Sequence, residues 1–316
     1  MAGRVIVVGS FNVDHVWRSA ALPLPGQTLA GDYASGPGGK GFNQAMAAAR
    51  AGAATRFVCA LGDDAGGQLA RALAAADDID LKDLRSEAPT GTAGIYVDAQ
   101  GRNSIVIGAG ANATLDPEGA LARLDDLADG DVLLVQAETP LDTVRAVLRR
   151  ARERGALALL NPAPANAAIE GDTIALCDIA TPNETELCAL LERAGIPSPG
   201  PDDVAAMDDA ALHAACRRLH PGGSVVVTLG AAGCFVSHAP HGAREDAADC
   251  YRVPAPLAQA VDTTGAGDAF NGALAASLAV GPHRAFAAHV VSANRYAARS
   301  TETPGAALAM PRLPIA

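Results

Sequence analysis

Short apolar runs recur along this chain, each stopping at a glycine or a polar residue, with helix-like stretches between them. Val5–Gly9, Thr55–Leu61, Val132–Gln136, Leu157–Leu160, Asp178–Ala180 and Val225–Leu229 are such runs. A strand whose apolar residues do not alternate with polar ones must be covered on both faces. Runs of that kind alternating with helices therefore predict a mostly parallel sheet between two helical layers. The residues that close the runs carry a second message. Asn12, Glu138, Asn161, Asn183 and Gly230 all fall at strand carboxyl ends, the edge where open α/β sheets bind ligands. One region breaks the pattern: Thr92–Asp98 and Asn103–Gly108 flank Gln100-Gly101 and read as a β-hairpin. Hairpins inserted in a βα series often act as lids. No repeat and no long linker divides the 316 residues.

Bulk properties narrow the class. A chain that is 49% hydrophobic and 19% charged has the composition of a globular protein with a large core. Its net charge of −11 argues against nucleic acid or an anionic membrane as principal partner, though a local cradle can still hold a nucleotide. Six cysteines are scattered without a C-x-x-C pair, which disfavours a zinc site or a disulfide scaffold and fits a reducing cytosol. No signal peptide is read before Val5 and no apolar stretch is long enough to span a bilayer, so a cytoplasmic location is expected.

The segment Asp262-Thr263-Thr264-Gly265-Ala266-Gly267-Asp268 reads as a tight turn opening a helix, with Phe270, Ala273, Leu274 and Leu278 at helical spacing. Amides of Gly265, Ala266 and Gly267 at a helix start would cradle an anion. Asp268 beside them suits a base that takes a proton from an attacking hydroxyl during phosphoryl transfer. An ordinary acidic first turn is the competing reading of this segment alone.

Other segments add polar groups. Asn12 and Asp14 are two apart, so in extended chain they face the same way, as a polar turn or as partners for sugar hydroxyls. Gly36-Pro37-Gly38-Gly39-Lys40-Gly41-Phe42-Asn43-Gln44 precedes an alanine helix that stops near Gly52. It lacks Walker A spacing, yet its glycines bring backbone close to something, and Lys40 and Asn43 can reach a polyol. Asn183 and Glu186 are three apart at a helix start. They suit either a capping box or a water-mediated Mg²⁺ site, and Thr181 with Glu184 also has capping-box spacing. His213, His220, His238 and His241 fall in or beside loops and read as solvated.

Several of these motifs together resemble the ribokinase (PfkB) family of sugar kinases, and the ribokinases most closely. Gly38–Ala45 and Asp262–Asp268 match the two family signatures, and the likeness runs through nearly the whole chain. Gly9–His15, Gly108–Asn112, Asn161–Ala165 and Thr181–Glu186 are also segments of the ribokinase kind. The resemblance implies a three-layer α/β fold, mostly parallel, forming a single kinase domain over 1–316. It also implies a small β-sheet lid from segments near 12–17, 28–35 and 92–108, often shared across a homodimer.

It further implies roles. Asp268 is the base, and Gly265, Ala266 and Gly267 form the anion hole for the γ-phosphate of ATP. Asn12, Asp14, Gly39, Lys40, Asn43 and Glu138 hold the sugar. Asn183, Thr228, Gly230 and Asn294 lie on the nucleotide side, and Glu186 serves Mg²⁺ through water. Asp262 and Thr264 match a K⁺ loop. Two departures stand out: Phe42 replaces a usually small residue, and Ala309 replaces a serine of the cation site.

The expectation is an ATP-dependent sugar kinase, with D-ribose going to ribose 5-phosphate. The same chemistry on a nucleoside, fructose or another sugar is the nearest alternative, with Phe42 offering a base a stacking surface. A sugar-binding protein without catalysis is a further one. A dinucleotide oxidoreductase is excluded, since no G-x-G-x-x-G follows the first strand.

Overall fold

A computed structural model describes residues 3–240 and 245–313. The strands are β1 Val5–Val8, β2 Asn12–Arg18, β3 Asp32–Gly38, β4 Thr55–Gly62, β5 Asp80–Ser86, β6 Gly91–Val97, β7 Asn103–Gly108, β8 Val132–Val135, β9 Leu157–Leu160, β10 Ile179–Ala180, β11 Ser224–Thr228, β12 Cys234–Ser237 and β13 Cys250–Val253. The helices are α1 Lys40–Arg50, α2 Ala65–Ala76, α3 Pro117–Leu121, α4 Leu141–Arg154, α5 Gly171–Ile174, α6 Glu184–Arg193, α7 Asp209–Leu219, α8 Ala266–Val280 and α9 Phe286–Ser300.

Nine strands form the main sheet in the order β13-β12-β11-β10-β9-β8-β1-β4-β5. Pairing is parallel from β11 across to β5, and antiparallel for β11–β12 and β12–β13. Alternate strand residues feed two separate cores, as a period of two requires. Val5, Val7, Phe57, Leu134 and Val226 pack with α1, α2, α8 and α9. Ile6, Val8, Val58, Leu133, Val135 and Val227 pack with α4, α6 and α7 on the opposite face. This is the predicted three-layer arrangement. The strand order reverses at β1, with β4 on one side and β8 on the other. The crevice at such a reversal is the expected ligand position.

A separate four-stranded sheet has the order β3-β2-β6-β7. The hairpin β6–β7 lies where its turn residues place it. The expected segment at 28–35 is displaced: the strand there is β3, Asp32–Gly38, paired with β2 from Arg18 back to Asn12. Its carboxyl end therefore runs directly into Gly39 and α1.

Three other features depart from the sequence reading. The glycine-rich lead does not delay α1, which starts at Lys40, so Lys40 and Asn43 share its first turn. Gly39 makes this possible with φ +87°, a conformation that costs a residue with a side chain. Strands β5, β12 and β13 are additional. His220 and His238 are buried rather than solvated. His238 bonds Ser224 and Asp246, and burial pushes His220 down to about 4, with Arg217 adding to the effect. His213 is hydrogen-bonded to Ser237, and His241 lies outside the described residues.

All six thiols are free. Among the described residues no helix is long and apolar enough to cross a membrane.

Candidate active site

The first turns of α1 and α8 meet above the carboxyl ends of β1, β8 and β9. Residue Gly272 lets them approach closely: a Cβ there would stand 2.4 Å from the Gln44 carbonyl oxygen. This contact brings the two glycine-rich motifs to one place.

Asp268 is 7% exposed and lies in the first turn of α8. Asn43 Nδ2 donates to its Oδ2 and Gln44 Nε2 to its Oδ1, each at 2.9 Å. Burial pushes the Asp268 carboxyl above its ordinary range, against the pull of Lys40 and these two amide bonds. Lys40 feels the opposite balance. Burial pulls its ammonium down, but Asp268, Glu138 and Glu186 outweigh that and leave it raised. Asp14 is pushed up to about 6 by burial and by the charges of Glu138 and Asp268. A cation thus sits among several carboxylates, in a polar pocket that is still largely screened from water.

Glu138 also ties α1 to the strand ends. Its Oε2 accepts from Lys40 N at 3.0 Å and from Ser10 Oγ at 2.5 Å. Helix α1 has no side-chain cap of its own, so Glu138 supplies the negative charge its N-terminus favours. Asn12 is fixed by Asn112, whose Nδ2 donates to Asn12 Oδ1 at 2.8 Å. Gly38 leaves room for Asp14: a Cβ there would stand 2.1 Å from Asp14 Oδ2. Asn43 Oδ1, buried, has no hydrogen-bond partner. A buried orphan acceptor of this kind calls for a donor from outside the chain.

Helix α8 is preceded by its N-cap Gly265, in the left-handed region with φ +75°. Of the three amides expected to form the anion hole, that of Ala266 donates to the Thr263 carbonyl at 3.2 Å and closes the turn. Gly267 and Asp268 follow it, where a helix leaves its amides without intrahelical partners. A Cβ on Gly267 would meet nothing within 4 Å, so the turn is open on the side where a side chain would project.

The expected nucleotide-side residues gather along the same edge, at the ends of β10, β11 and β13. Asn183 is bridged to Thr228, and Thr228 N donates to the Pro182 carbonyl at 3.0 Å. The capping box is closed by Asn183 and Glu186 themselves, with Asn183 Oδ1 accepting from Glu186 N at 2.8 Å and Glu186 Oε2 from Asn183 N at 2.9 Å. Thr181 takes no part in it. Burial raises the Glu186 carboxyl, against the Asn183 amide and Lys40. Gly230 is exposed with open space where a side chain would be. Asn294 donates to the Val253 carbonyl at 3.1 Å, tying α9 to the end of β13.

Asp262 accepts amides on both oxygens, from Thr264 and from Gly305, each at 2.9 Å. Burial raises its carboxyl, but the Thr264 hydroxyl and these two amides outweigh it and leave it lowered. Ala309 is buried and brings no hydroxyl to this loop.

Phe42 does not reach the pocket. It is fully buried, edge-on to Phe11 at 5.0 Å and against Phe57 at 5.8 Å. Its position in the first turn of α1 points it into the core while Asn43 faces Asp268, so it offers no stacking surface to a base.

Sequence reasoning gave no role behind these groups to the polar layer of Ser10, Gln44, Gln136, Asn112, Thr181 and Asn271. Gln136 was open to notice, being a glutamine that follows directly on the apolar run of β8. The others carry no periodic signal.

Comparison with known proteins assigns the class. A family model for pfkB family carbohydrate kinases matches residues 2–313. The Haemophilus influenzae ribokinase is 36% identical over 88% of this chain and 86% of its own length. A Salmonella typhi deoxyribokinase is 33% identical over 86% of this chain and 84% of its own. The solved structure of Arabidopsis thaliana ribokinase complexed with ribose and ATP superposes with a TM-score of 0.82, at 30% identity, covering 98% of this chain and 96% of that one. The fold and the site define a ribokinase-like sugar kinase, an ATP:sugar phosphotransferase with an alcohol as acceptor. The chain belongs to the pfkB family of carbohydrate kinases.

Proposed function

We propose that this kinase phosphorylates the primary hydroxyl of D-ribose, giving D-ribose 5-phosphate, with ATP as donor. The observation that carries the proposal is the pairing of Asp268 with Asn43. A buried carboxylate at a helix start is held by an amide whose own oxygen waits for a donor such as a sugar hydroxyl. Asn12, Asp14, Gly39, Lys40 and Glu138 surround that point and supply the sugar contacts. Asp268 takes the proton of the attacking hydroxyl as its oxygen bonds the γ-phosphorus. The bond from the γ-phosphorus to the β,γ-bridging oxygen breaks, and ADP leaves. The amides of Gly265, Gly267 and Asp268 receive the charge that develops on the transferring group. Asn183, Thr228, Gly230 and Asn294 line the nucleotide side.

Mg²⁺ fits this donor set. Among the described residues no three His, Cys, Asp or Glu side chains converge into a metal cage. A Mg²⁺ held by phosphate oxygens and waters, with Glu186 behind one of those waters, needs none. When bound it neutralises charge on the β- and γ-phosphates. Asp262 and Thr264 are the residues that would serve K⁺, and Ala309 adds no ligand to them.

The small sheet serves as a lid, and its exposed face supports a homodimer. Ile105, Val106 and Ile107 of edge strand β7 are each at least half exposed. Register puts Ile107 and Ile105 on the same face as Asp14. A second copy packed there would bury this apolar edge and cover the sugar. The setting proposed is cytoplasmic.

The deoxyribokinase relative favours one competing sugar, 2-deoxyribose. An ADP-release assay over ribose, 2-deoxyribose, fructose and nucleosides, with and without K⁺, decides. Ribose should give the highest kcat/KM. A higher value for any other acceptor would displace it.

A further inference from the structure

The base is held from behind by a chain of amides whose orientation starts at one backbone atom. Thr181 directly follows β10, and its carbonyl oxygen can only accept. Asn161 Nδ2 donates to it at 3.0 Å. That turns Asn161 Oδ1 toward Gln44, where it accepts from Nε2 at 3.1 Å. The same Nε2 spends its other hydrogen on Asp268 Oδ1 at 2.9 Å. Gln44 Oε1 is then left facing Gln136, which donates to it at 2.6 Å. Flipping the Gln44 amide would set its oxygen against Asp268 and Asn161 and its nitrogen against the Gln136 amide nitrogen. The acceptor at Thr181 thus fixes which end of Gln44 meets the base.

The hydroxyl of the same threonine holds the other half of the site. Thr181 Oγ1 donates to Asn271 Oδ1 at 2.5 Å, and Asn271 Nδ2 donates to the Gly267 carbonyl at 2.8 Å. The base and the glycine turn in front of it are referenced to one residue at a strand end.

We propose that Gln44 is a positioning residue for the phosphoryl-transfer step: it presents a fixed donor to Asp268 and so keeps this buried side chain an ionised acceptor of the sugar proton. This rests on Asp268 being the base. A protonated Asp268 would need to donate, and both its oxygens face donors. Stabilising the charged form of a buried carboxylate is what such a bond does. The charged groups facing Asp268 from other elements are Lys40 on α1, Asp14 on β2, Glu138 beyond β8 and Glu186 on α6. Lys40 works in the same direction as Gln44, and the three carboxylates work against it.

The test is the pH dependence of kcat at saturating ribose and ATP for Gln44→Met and Gln44→Glu, repeated in an Asp14→Asn background that removes the titration of Asp14, a carboxyl raised to about 6. Gln44→Met keeps the length and removes the donor. The acid limb should move up by about one pH unit or more, the worth of a hydrogen bond to a charged group. On the acid limb itself, where kcat falls about tenfold per pH unit, kcat should be about tenfold below the parent at the same pH, while the ribose KM stays within about threefold. Gln44→Glu keeps the bond from Gln136 and sets a second acid against Asp268, so its limb should move further. If Gln44→Met does not fold, Gln44→Glu alone decides. An unmoved limb in a folded Gln44 variant overturns the role of Gln44. Asp268→Asn in the same assay separates the two claims: lost turnover there with unmoved Gln44 limbs removes only this inference, whereas near-normal turnover removes the base as well.

Discussion

Asn43 Nδ2 and Asp268 Oδ2 stand 2.9 Å apart across 225 residues of sequence. The bond joins the first turn of α1 to the first turn of α8. It makes one site of two motifs at opposite ends of the chain.

If Asn43 serves both the base and the substrate pocket, as proposed, its loss should show in both kinetic constants. Asn43→Leu should lower kcat by about tenfold or more and also raise the ribose KM. Steady-state kinetics would check this. A change confined to KM would mean that Asn43 binds sugar without supporting Asp268.

Asp14 should couple sugar binding to pH. Its carboxyl is pushed up to about 6 by burial, Glu138 and Asp268, so it protonates as pH falls through that value and the proposed ionised contact with the sugar is lost. Ribose KM should therefore rise below about pH 6. For stability the sign is opposite. An acid whose folded pKa is raised favours the fold at low pH, and that contribution is lost as pH rises from the unfolded value of 3.8 to about 6. Asp14→Asn should accordingly raise Tm at pH 8, have little effect near pH 4, and weaken ribose binding. Thermal unfolding at the two pH values, with ribose titration, tests the pattern; equal Tm shifts at both would contradict it.

Glu186 closes the capping box of α6 and is proposed to carry the charge behind a Mg²⁺-bound water, and one substitution separates the two. Glu186→Gln can still accept the Asn183 amide, so the capping box survives and Tm should change little. The charge behind a Mg²⁺-bound water is lost, and the Mg²⁺ concentration for half-maximal activity should rise several-fold, consistent with about 1 kcal/mol. Activity against Mg²⁺ concentration is the readout. An unchanged Mg²⁺ curve would leave Glu186 as a helix cap.

Phe42 fills the core between Phe11 and Phe57 rather than the pocket. Phe42→Ala should cost about 3–5 kcal/mol of stability, as large-to-small core changes do. Whatever protein remains folded should keep its ranking of acceptors. Denaturant unfolding and the acceptor panel check both halves. A shift toward nucleosides would return Phe42 to the pocket.

The layered fold was legible because its central strands are pure apolar runs, such as Val5–Val8 and Val132–Val135, that cannot be anything but buried. Strand β5, Asp-Leu-Lys-Asp-Leu-Arg-Ser, was not, since an edge strand faces water and carries charges. The start of α1 was hidden for a different reason. Gly-Gly-Lys-Gly has poor helix propensity and reads as loop, while Glu138 and Ser10, remote in sequence, supply the capping the helix lacks. Asp268, Asn43 and Lys40 stood out through their motifs. Gln44, Gln136, Asn161 and Asn271 act through orientation, and amide orientation depends on partners that only the tertiary fold brings together.

The central claim is that Asp268 removes the sugar proton, and Asp268→Asn tests it most directly. Turnover is measured by ADP release with ribose, and ribose affinity by calorimetry on the same preparation. Turnover should fall by about 10²–10⁴-fold, the usual worth of general-base catalysis, with ribose affinity within a few-fold of the parent. Turnover close to that of the parent would contradict the account.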